Sequence, residues 1–335
     1  MQYPRHIIST EQFLDRDLLQ DLFTLTDHYR AADAEHAVPR PLVGKLIASL
    51  FYEASTRTRM SFEAAMRKLG GDVITTENAR KFSSVAKGET LADTIRVIGG
   101  YVEAIILRHH QEGAAERAAT VAPVPIINAG DGAGEHPTQA LLDLYTIRSE
   151  LKRLDTFRIA LMGDLRYGRT IHSLVRLLTQ CPNVHVYLVS PEALRLPPQY
   201  IHILNAHGIP YKEMISFEEV PRNLDVVYIL RIQKERKKHS EGRRSAGKDL
   251  HEKAAPSPAA PHVLHDQLHC APYRLDPEVL ERCAPNAIIL HPLPRTNELD
   301  PAVDRSPRAA YFRQARNGLY LRMALLSRVL APNHF

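Results

Sequence analysis

The sequence predicts an α/β protein built from two doubly wound parallel-sheet domains. Short apolar runs, many of them β-branched, alternate with amphipathic stretches along most of the chain, which is the pattern of parallel strands covered by helices. A chain of 335 residues is long enough for about two domains of ordinary size. One helical stretch ends near residue 150 and a new strand-turn-helix series follows it. We therefore expect a first domain over residues 1–150 and a second over residues 151–315.

The composition is that of an ordinary soluble globular protein. Hydrophobic residues make up 44% of the chain and charged residues 24%. No apolar run approaches the roughly 18 residues needed to cross a bilayer, so we expect no membrane association. The net charge of +5 is spread along the chain, which argues against nucleic acid as a partner. The N-terminal residues lack an apolar signal core and the three cysteines suit reduced thiols, so the expected compartment is the cytoplasm.

Helix and strand signals follow one another along the chain. Ser9 and Gln12 suit a capping box at the start of a helix over residues 9–25. Helical spacing also predicts a helix over 138–150 and another over about 319–330. The spacing leaves open which domain the last helix packs against, and we place the C-terminal segment, 316–335, with the first domain. The predicted strands cover residues 46–50, 72–75, 104–107, 125–127, 158–162, 184–189, 226–230 and 287–290.

Hydroxyl and guanidinium side chains alternate where the first strand meets a helix. The residues in this turn are Ser55, Thr56, Arg57, Thr58 and Arg59. A helix N-terminus presents free backbone N–H groups and a positive dipole end, and the two arginines add forked donors suited to phosphate. We expect a phosphate-type anion here. A serine N-cap with solvated arginines is the structural alternative.

Polar residues also follow the next two predicted strands. Arg108 comes directly after the strand over 104–107, and His136 and Gln139 lie at the start of the helix that follows the strand over 125–127. Because the carboxyl ends of parallel strands meet at one edge of a sheet, these side chains should share a pocket in the cleft between the domains. Taken alone, His136 would more often be a structural or N-cap histidine.

The second domain repeats this arrangement with further basic residues. Arg169 lies in the turn over 163–170, whose spacing imitates a Walker A loop except that arginine replaces the lysine. A nucleotide-binding loop is one interpretation of this turn, and a carboxylate-binding arginine is the other. Arg231 follows the strand over 226–230. The turn over 291–294 should present carbonyls to an amide ligand, because its two prolines cannot donate a hydrogen bond.

Two further segments receive no role from spacing alone. Lys87 lies in a glycine-containing loop, where a lysine would ordinarily be solvated. The proline-rich insertion over about 237–273 interrupts the strand-helix alternation and is expected to be a long surface loop, functional or disordered. It holds side chains at spacings that a transition metal could use, but no tidy second pair accompanies them, and we expect no metal site. These side chains are His262, His265, His269 and Cys270.

Six motifs together resemble the aspartate carbamoyltransferase family, appear in the family's order and span nearly the whole chain apart from the insertion. They are FYEASTRTR at 51–59, KGETL at 87–91, HPTQ at 136–139, GDLRYGRT at 163–170, RIQKER at 231–236 and HPLPR at 291–295. The resemblance implies a carbamoyl-phosphate domain followed by an aspartate domain. It implies transfer of a carbamoyl group from carbamoyl phosphate to the α-amine of L-aspartate in pyrimidine biosynthesis, without a cofactor.

The resemblance also implies the roles of individual residues. Those implied to bind carbamoyl phosphate are Ser55, Thr56, Arg57, Thr58, Arg108, His136, Gln139, Leu293 and Pro294. Those implied to bind L-aspartate are Lys87, Arg169, Arg231 and Gln233. The implied catalytic residues are Arg57, Thr58, Lys87, Arg108 and His136, of which Thr58, Arg108 and His136 would stabilise the oxyanion of the tetrahedral intermediate.

The resemblance further implies a homotrimer whose active sites are shared between subunits. In the family, a loop carrying a serine and Lys87 enters the neighbouring subunit's site. Counting back from the lysine selects Ser83, with the adjacent Ser84 as the alternative. Association with regulatory or dihydroorotase chains stays open. The acceptor is expected to be an acid rather than ornithine, because Arg231 occupies the second-substrate position and ornithine relatives typically carry His-Cys-Leu-Pro at the positions of 291–294.

Overall fold

The computed structural model describes residues 3–79, 88–132, 134–232 and 273–334, which form two parallel β-sheets covered by helices. The predicted fold class is therefore confirmed. In the first sheet the strand order is β2-β1-β3-β4. Its strands are β1 Leu46–Phe51, β2 Asp72–Glu77, β3 Ala104–His109 and β4 Ile126–Asp131. The accompanying helices are α1 Arg16–Ala34, α2 Thr56–Lys68, α3 Leu91–Gly99, α4 Ala114–Val121 and α5 Pro137–Leu151.

The second sheet has five strands in the order β7-β6-β5-β8-β9. They are β5 Arg158–Met162, β6 His185–Val189, β7 Tyr211–Met214, β8 Val226–Ile229 and β9 Ile288–Leu290. The remaining helices are α6 Arg169–Leu178, α7 Pro198–Ala206, α8 Pro277–Cys283 and α9 Tyr311–Leu330. Short 3₁₀ segments cover Thr10–Phe13, Glu192–Leu194, Phe217–Glu219 and Pro301–Arg305.

Each sheet has a point where the strand order changes direction. In the first sheet this point lies between β1 and β3, and in the second it lies between β5 and β8. Ligands of open parallel sheets bind beyond the carboxyl ends of the strands at such points. The turn over 52–58, the turn over 163–169 and Arg231 follow three of these strands, and Arg108 lies near the carboxyl end of the fourth, β3. The topology thus brings the predicted anion-binding residues of both domains to one cleft.

The first helical segment differs from the prediction of one helix over 9–25. The predicted capping box forms, with Ser9 and Gln12 bonding each other's backbone, but it caps a single 3₁₀ turn. The Asp15 side chain then accepts hydrogen bonds from the backbone N–H groups of Asp17 and Leu18 and begins α1. A second N-cap within the predicted helix divides it, because each cap fixes its own residue in an extended conformation.

The last helix begins at Tyr311 and lies against helices of the first domain. The Tyr29 hydroxyl of α1 is 2.6 Å from the Ser327 hydroxyl, and Arg328 forms an ion pair with Asp21 at 2.7 Å. Asn317 donates to the Thr146 hydroxyl of α5 at 3.0 Å. The chain thus crosses into the second domain and returns to the first before it ends.

Four expectations concern features that the described ranges only partly cover. In those ranges the cysteines, Cys181 and Cys283, are buried free thiols, and Cys270 lies outside them. Across the same ranges, neither a helix suited to spanning a membrane nor a metal-binding cluster of His, Cys, Asp and Glu is present. The insertion over 237–273 lies almost entirely outside the described residues.

Candidate active site

A cleft of about 600 Å³ opens where the carboxyl ends of the two sheets face each other. Five of its described lining residues are arginines and one, Glu53, is acidic. Such a charge balance suits anionic ligands. The lining includes eleven of the fourteen residues that were expected to bind substrates or act in catalysis. They are Ser55, Thr56, Arg57, Thr58, Arg108, His136, Gln139, Arg169, Arg231, Leu293 and Pro294.

The N-terminus of α2 forms one end of the cleft. Strand β1 ends at Phe51, and Ser55 is the N-cap of α2 in an extended conformation. The Ser55 side chain makes no capping hydrogen bond, so the N–H groups of the first helical turn stay available for an anion. Arg57 lines the cleft beside this turn. The expectation that Arg59 also adds charge here is wrong, because its guanidinium pairs with Glu63 and Glu77 instead.

Arg108 is held rigidly at the end of β3. It is 9% exposed, donates to the carbonyl of Ala129 at 3.0 Å and forms an ion pair with Glu53 at 2.9 Å. Gly130 has φ of +113°, and a Cβ atom at that position would lie 2.9 Å from Nη1 of Arg108. Glycine is therefore required beside this guanidinium, both for the backbone conformation and for the close approach.

His136 is the N-cap of α5 and is buried, with Pro137 as the first helical residue. Its backbone N–H donates to the Ser173 hydroxyl at 3.3 Å, and its Nδ1 atom lacks a hydrogen-bond partner among the described groups. Burial lowers the pKa of His136 well below its usual value, and the nearby charges of Arg169, Arg108 and Arg322 lower it further. The imidazole is therefore neutral near pH 7 and can donate one N–H to a ligand oxygen without carrying charge.

Arg169 reaches into the same cleft from the second domain. It lies at the start of α6, donates to the carbonyl of Gly132 and places Nη2 3.5 Å from a Glu53 carboxylate oxygen. Glu53 thus lies between Arg108 of the first domain and Arg169 of the second and forms an ion pair with each of them. An anionic substrate group bound here would meet two arginines that are already close together.

The glycines that imitate a Walker A loop have a packing role. A Cβ atom at Gly163 would lie 2.2 Å from the carbonyl oxygen of Leu230, and one at Gly168 would lie 2.4 Å from the Leu230 side chain. Both glycines let the turn after β5 approach the end of β8. Because Arg169 points across the cleft toward Gly132, the geometry favours the carboxylate-binding interpretation over the nucleotide-binding one.

The turn over 291–294 is held in place by hydrogen bonds of His291. His291 Nε2 is 2.8 Å from Glu298, and His291 Nδ1 accepts a hydrogen bond from the N–H of Leu293 at 2.7 Å. Burial alone would raise the pKa of Glu298, but hydrogen bonds from His291 and Thr296 outweigh burial and lower it to about 2. The ionised carboxylate therefore fixes His291, which in turn fixes the turn whose residues line the cleft.

Sequence reasoning missed several residues that shape the cleft. Glu53 belongs to the first motif but received no role, although its place between β1 and α2 marks it as a candidate. Arg322 of α9 is fully buried, lines the cleft and lies over the Phe62 ring at 4.9 Å. Nothing local in the sequence distinguishes it from the other arginines of α9. Four expected residues lie outside the described ranges: Ser83, its alternative Ser84, Lys87 and Gln233, as do His262, His265 and His269 of the insertion.

The arrangement can bind two anionic groups on either side of a reacting centre. The α2 N-terminus with Arg57 and Arg108 forms one anion-binding wall, and Arg169 with Arg231 forms the other. Between them, Arg108 and the neutral His136 can donate to an oxygen that gains negative charge during acyl-type transfer. The geometry therefore fits the transfer of a small acyl group from a phosphate to an acidic acceptor.

Comparison with known proteins agrees with this geometry. The family model "Aspartate/ornithine carbamoyltransferase, carbamoyl-P binding domain" matches residues 5–149. The model of the Asp/Orn binding domain of the same family matches residues 155–329. The chloroplastic aspartate carbamoyltransferase of Oryza sativa subsp. japonica is 47% identical, over 97% of this chain and 84% of that protein.

Two solved structures are similar over almost their full length. The catalytic subunit of M. jannaschii aspartate transcarbamoylase has a TM-score of 0.86 and 42% identity, covering 98% of this chain and 99% of that one. Aspartate transcarbamoylase from Trypanosoma cruzi, in complex with N-(phosphonacetyl)-L-aspartic acid, has a TM-score of 0.83 and 40% identity, covering 97% and 96% of the two chains. The chain therefore belongs to the aspartate/ornithine carbamoyltransferase family.

Proposed function

We propose that the chain is an aspartate carbamoyltransferase, which transfers the carbamoyl group of carbamoyl phosphate to the α-amine of L-aspartate. The products are N-carbamoyl-L-aspartate and phosphate. The observation that carries the proposal is the cleft itself, where two arginine-bearing walls from different domains face each other across Arg108 and His136. The T. cruzi relative bound to N-(phosphonacetyl)-L-aspartic acid supports it, because that molecule joins a phosphonate to aspartate as the two substrates would be joined.

The phosphate end of carbamoyl phosphate binds at the start of α2. Backbone N–H groups, the Ser55 and Thr58 hydroxyls and the Arg57 guanidinium surround this position. Such donors favour the phosphate both before and after its bond to the carbamoyl carbon breaks. When the bond to the carbamoyl carbon breaks, the phosphate therefore remains in a site that already stabilises its charge.

The carbamoyl carbon then lies between Arg108 and His136. As the amine of aspartate forms the new C–N bond, the carbonyl oxygen gains negative charge, and Arg108 and His136 donate to it. Collapse of the intermediate breaks the C–O bond to phosphate, and the proton that the amine loses passes to the departing phosphate. Arg169 and Arg231 hold the two carboxylates of aspartate, which directs the amine at the carbamoyl carbon.

The proposal is tested by assaying the purified full chain with carbamoyl phosphate and either L-aspartate or L-ornithine. We expect carbamoyl-aspartate and phosphate to form in equal amounts and ornithine to give no product, because two arginines, Arg169 and Arg231, are proposed to bind the acceptor. Turnover with ornithine would overturn the choice of acceptor. Failure of the folded chain to bind carbamoyl phosphate by calorimetry would overturn the proposed function as a whole.

We also propose a homotrimer with shared active sites. Large apolar side chains are exposed on the first domain, at Met60 of α2, Ile74 of the edge strand β2 and Val97 of α3. Exposed apolar side chains and an edge strand both favour a subunit interface. Sedimentation should give three times the chain mass of 37.8 kDa. A mixture of Lys87→Ala and His136→Ala chains should regain activity, whereas verified mixed trimers without recovery would contradict shared sites.

The compartment and further partners are also part of the proposal. We propose a cytoplasmic location, although the rice relative is named as chloroplastic. Cell fractionation with an antibody to the chain tests it, and recovery in a membrane-bounded organelle would contradict it. Association with regulatory or dihydroorotase chains would appear as a larger species when the native complex is purified.

A further inference from the structure

A buried carboxylate beneath the cleft has no part in the chemistry described above. Asp143 of α5 is fully buried and lies one helical turn after Gln139. Its Oδ1 atom accepts hydrogen bonds from Gln139 Nε2 at 2.8 Å and Gln314 Nε2 at 2.6 Å. Its Oδ2 atom accepts a hydrogen bond from the Tyr228 hydroxyl at 2.7 Å. Burying a carboxylate is costly, and three donors offset that cost here.

Asp143 determines which end of the Gln139 amide faces the cleft. An ionised carboxylate only accepts hydrogen bonds, so it must bind the NH₂ end of the Gln139 side chain. The carbonyl end, Oε1, is then left on the cleft side as an acceptor. The carbamoyl group carries an NH₂ donor, whereas inorganic phosphate does not. The orientation of Gln139 therefore matters for one end of carbamoyl phosphate and not for the other.

Gln314 connects Asp143 to the turn over 291–294 on the opposite wall of the cleft. Its Nε2 atom donates to Asp143, and its Oε1 atom accepts a hydrogen bond from the backbone N–H of His291 at 2.9 Å. His291 begins the turn over 291–294, whose carbonyls are expected to face an amide ligand and can therefore accept from the carbamoyl NH₂ group. One carboxylate is thus connected to the acceptors on both sides of that group.

Tyr228 connects the network to the second domain. It is fully buried in β8, the strand that leads to Arg231, and its hydroxyl bonds Asp143 of the first domain. Asp143 therefore contacts α5, β8 and α9 at once. Burial raises the pKa of Asp143, and its hydrogen-bond donors with the charge of Arg322 offset part of that rise, so that the pKa is about 7 and the carboxylate is ionised above that pH.

We propose that Asp143 is a positioning residue that orients the acceptors for the carbamoyl NH₂ group on both walls of the cleft. The inference rests on the proposed function. It assigns to Asp143 the selectivity for carbamoyl phosphate over phosphate, which share the α2 site. A purely structural role would instead affect the binding of both ligands equally.

The test compares the affinities for carbamoyl phosphate and inorganic phosphate, measured by calorimetry on the full chain and on Asp143→Asn. The asparagine oxygen can still accept from both glutamines while its NH₂ group faces the Tyr228 hydroxyl, but it is neutral and holds the glutamine amides less strongly than a carboxylate does. We expect carbamoyl phosphate to bind roughly three- to tenfold more weakly, because hydrogen bonds to a neutral group are weaker than those to a charged one. Phosphate affinity should stay within about twofold. Equal loss for both ligands, or no loss for either, would overturn the proposal.

Asp27→Asn is the matched control. Asp27 accepts hydrogen bonds from the Tyr145 hydroxyl at 2.6 Å and from Arg148 at 2.7 Å, both on α5, so it is a carboxylate bound to the same helix. It is not a lining residue of the cleft. We expect Asp27→Asn to leave the ratio of the two affinities unchanged. A changed ratio would show that the effect arises from α5 in general rather than from Asp143.

Gln314→Met keeps the inference testable if Asp143→Asn does not fold. Methionine fills a similar volume but removes both hydrogen bonds that connect Asp143 to His291. Carbamoyl phosphate should bind roughly three- to tenfold more weakly with phosphate binding retained. Unchanged carbamoyl phosphate affinity would overturn the connection. Because the unmodified chain is measured alongside, its failure to bind carbamoyl phosphate would instead count against the proposed function.

Discussion

The two walls of the cleft hold their arginines in different ways. On the first-domain wall, Arg108 is buried, bonded to a backbone carbonyl and paired with Glu53. On the second-domain wall, Arg169 is held in a similar way, but Arg231 is only half-buried. The turn over 163–169 packs closely against Leu230, and the turn over 291–294 is held by Glu298. Both walls therefore carry two arginines, and the second wall depends in addition on close backbone packing. Substitutions should affect the two substrates unequally as a result.

Arg57→Ala should have the largest effect, because it removes a forked cation from the phosphate site on the first wall. We expect kcat/KM to fall roughly 10²- to 10³-fold, with most of the loss in carbamoyl phosphate affinity. Calorimetry and steady-state kinetics measure both. Arg57→Lys should restore the positive charge but not the forked hydrogen-bond geometry, so only part of the affinity should return. An unchanged dissociation constant would remove Arg57 from the phosphate site.

Arg231→Ala tests the second wall. We expect the KM for aspartate to rise roughly ten- to one-hundred-fold, because a charged hydrogen bond to a carboxylate is lost. The dissociation constant of carbamoyl phosphate should change by less than about twofold. If both substrates are affected alike, the two walls do not act separately and the comparison fails.

Gly163→Ala tests whether the second wall depends on backbone packing. The added Cβ would lie 2.2 Å from the Leu230 carbonyl, at a residue with φ of +110°. We expect a loss of about 1–3 kcal/mol in the free energy of unfolding, measured in urea. Gly208→Ala, at φ of +63° with nothing within 4 Å of the added atom, is the control and should cost less. Equal losses would show that only backbone conformation matters at Gly163.

Glu298→Gln should have the smallest effect on activity, which we expect to be a few-fold rise in the KM values. Its effect on the free energy of unfolding should depend on pH. The folded pKa of Glu298 is about 2, below its usual 4.5. The stabilisation that ionised Glu298 gives the folded state is thus present above pH 4.5 and is lost as the pH falls toward 2. The difference in unfolding free energy between the parent chain and Glu298→Gln should shrink across that range. A constant difference would contradict an ionised Glu298 carboxylate that accepts a hydrogen bond from His291.

The sequence predicted most of the fold because buried parallel strands are continuous apolar runs, as in 104–107 and 158–162. The sequence analysis did not predict β7. This strand forms the edge of its sheet, and its residues Lys212 and Glu213 are exposed. An edge strand needs less apolar sequence than a central one, so its signal is weak. The divided first helix was missed because two competing N-caps, Ser9 and Asp15, lie within one periodic stretch.

The candidate site was predictable where polar residues follow a strand or begin a helix, since topology then fixes where they meet. Arg108, Arg169 and Arg231 are examples. Asp143 and Gln314 have no such position. They lie within helices, and their importance arises from a contact between segments far apart in the chain. Only the folded arrangement shows that contact.

The return of α9 to the first domain has a consequence for biosynthesis. Gln314, Ala315 and Arg322 line the cleft but are synthesised after the other described lining residues. A ribosome that has completed both sheets has therefore still not supplied the parts that lie beneath the cleft. The cleft is complete only once α9 has been made, so a chain that stops before Tyr311 should have no activity.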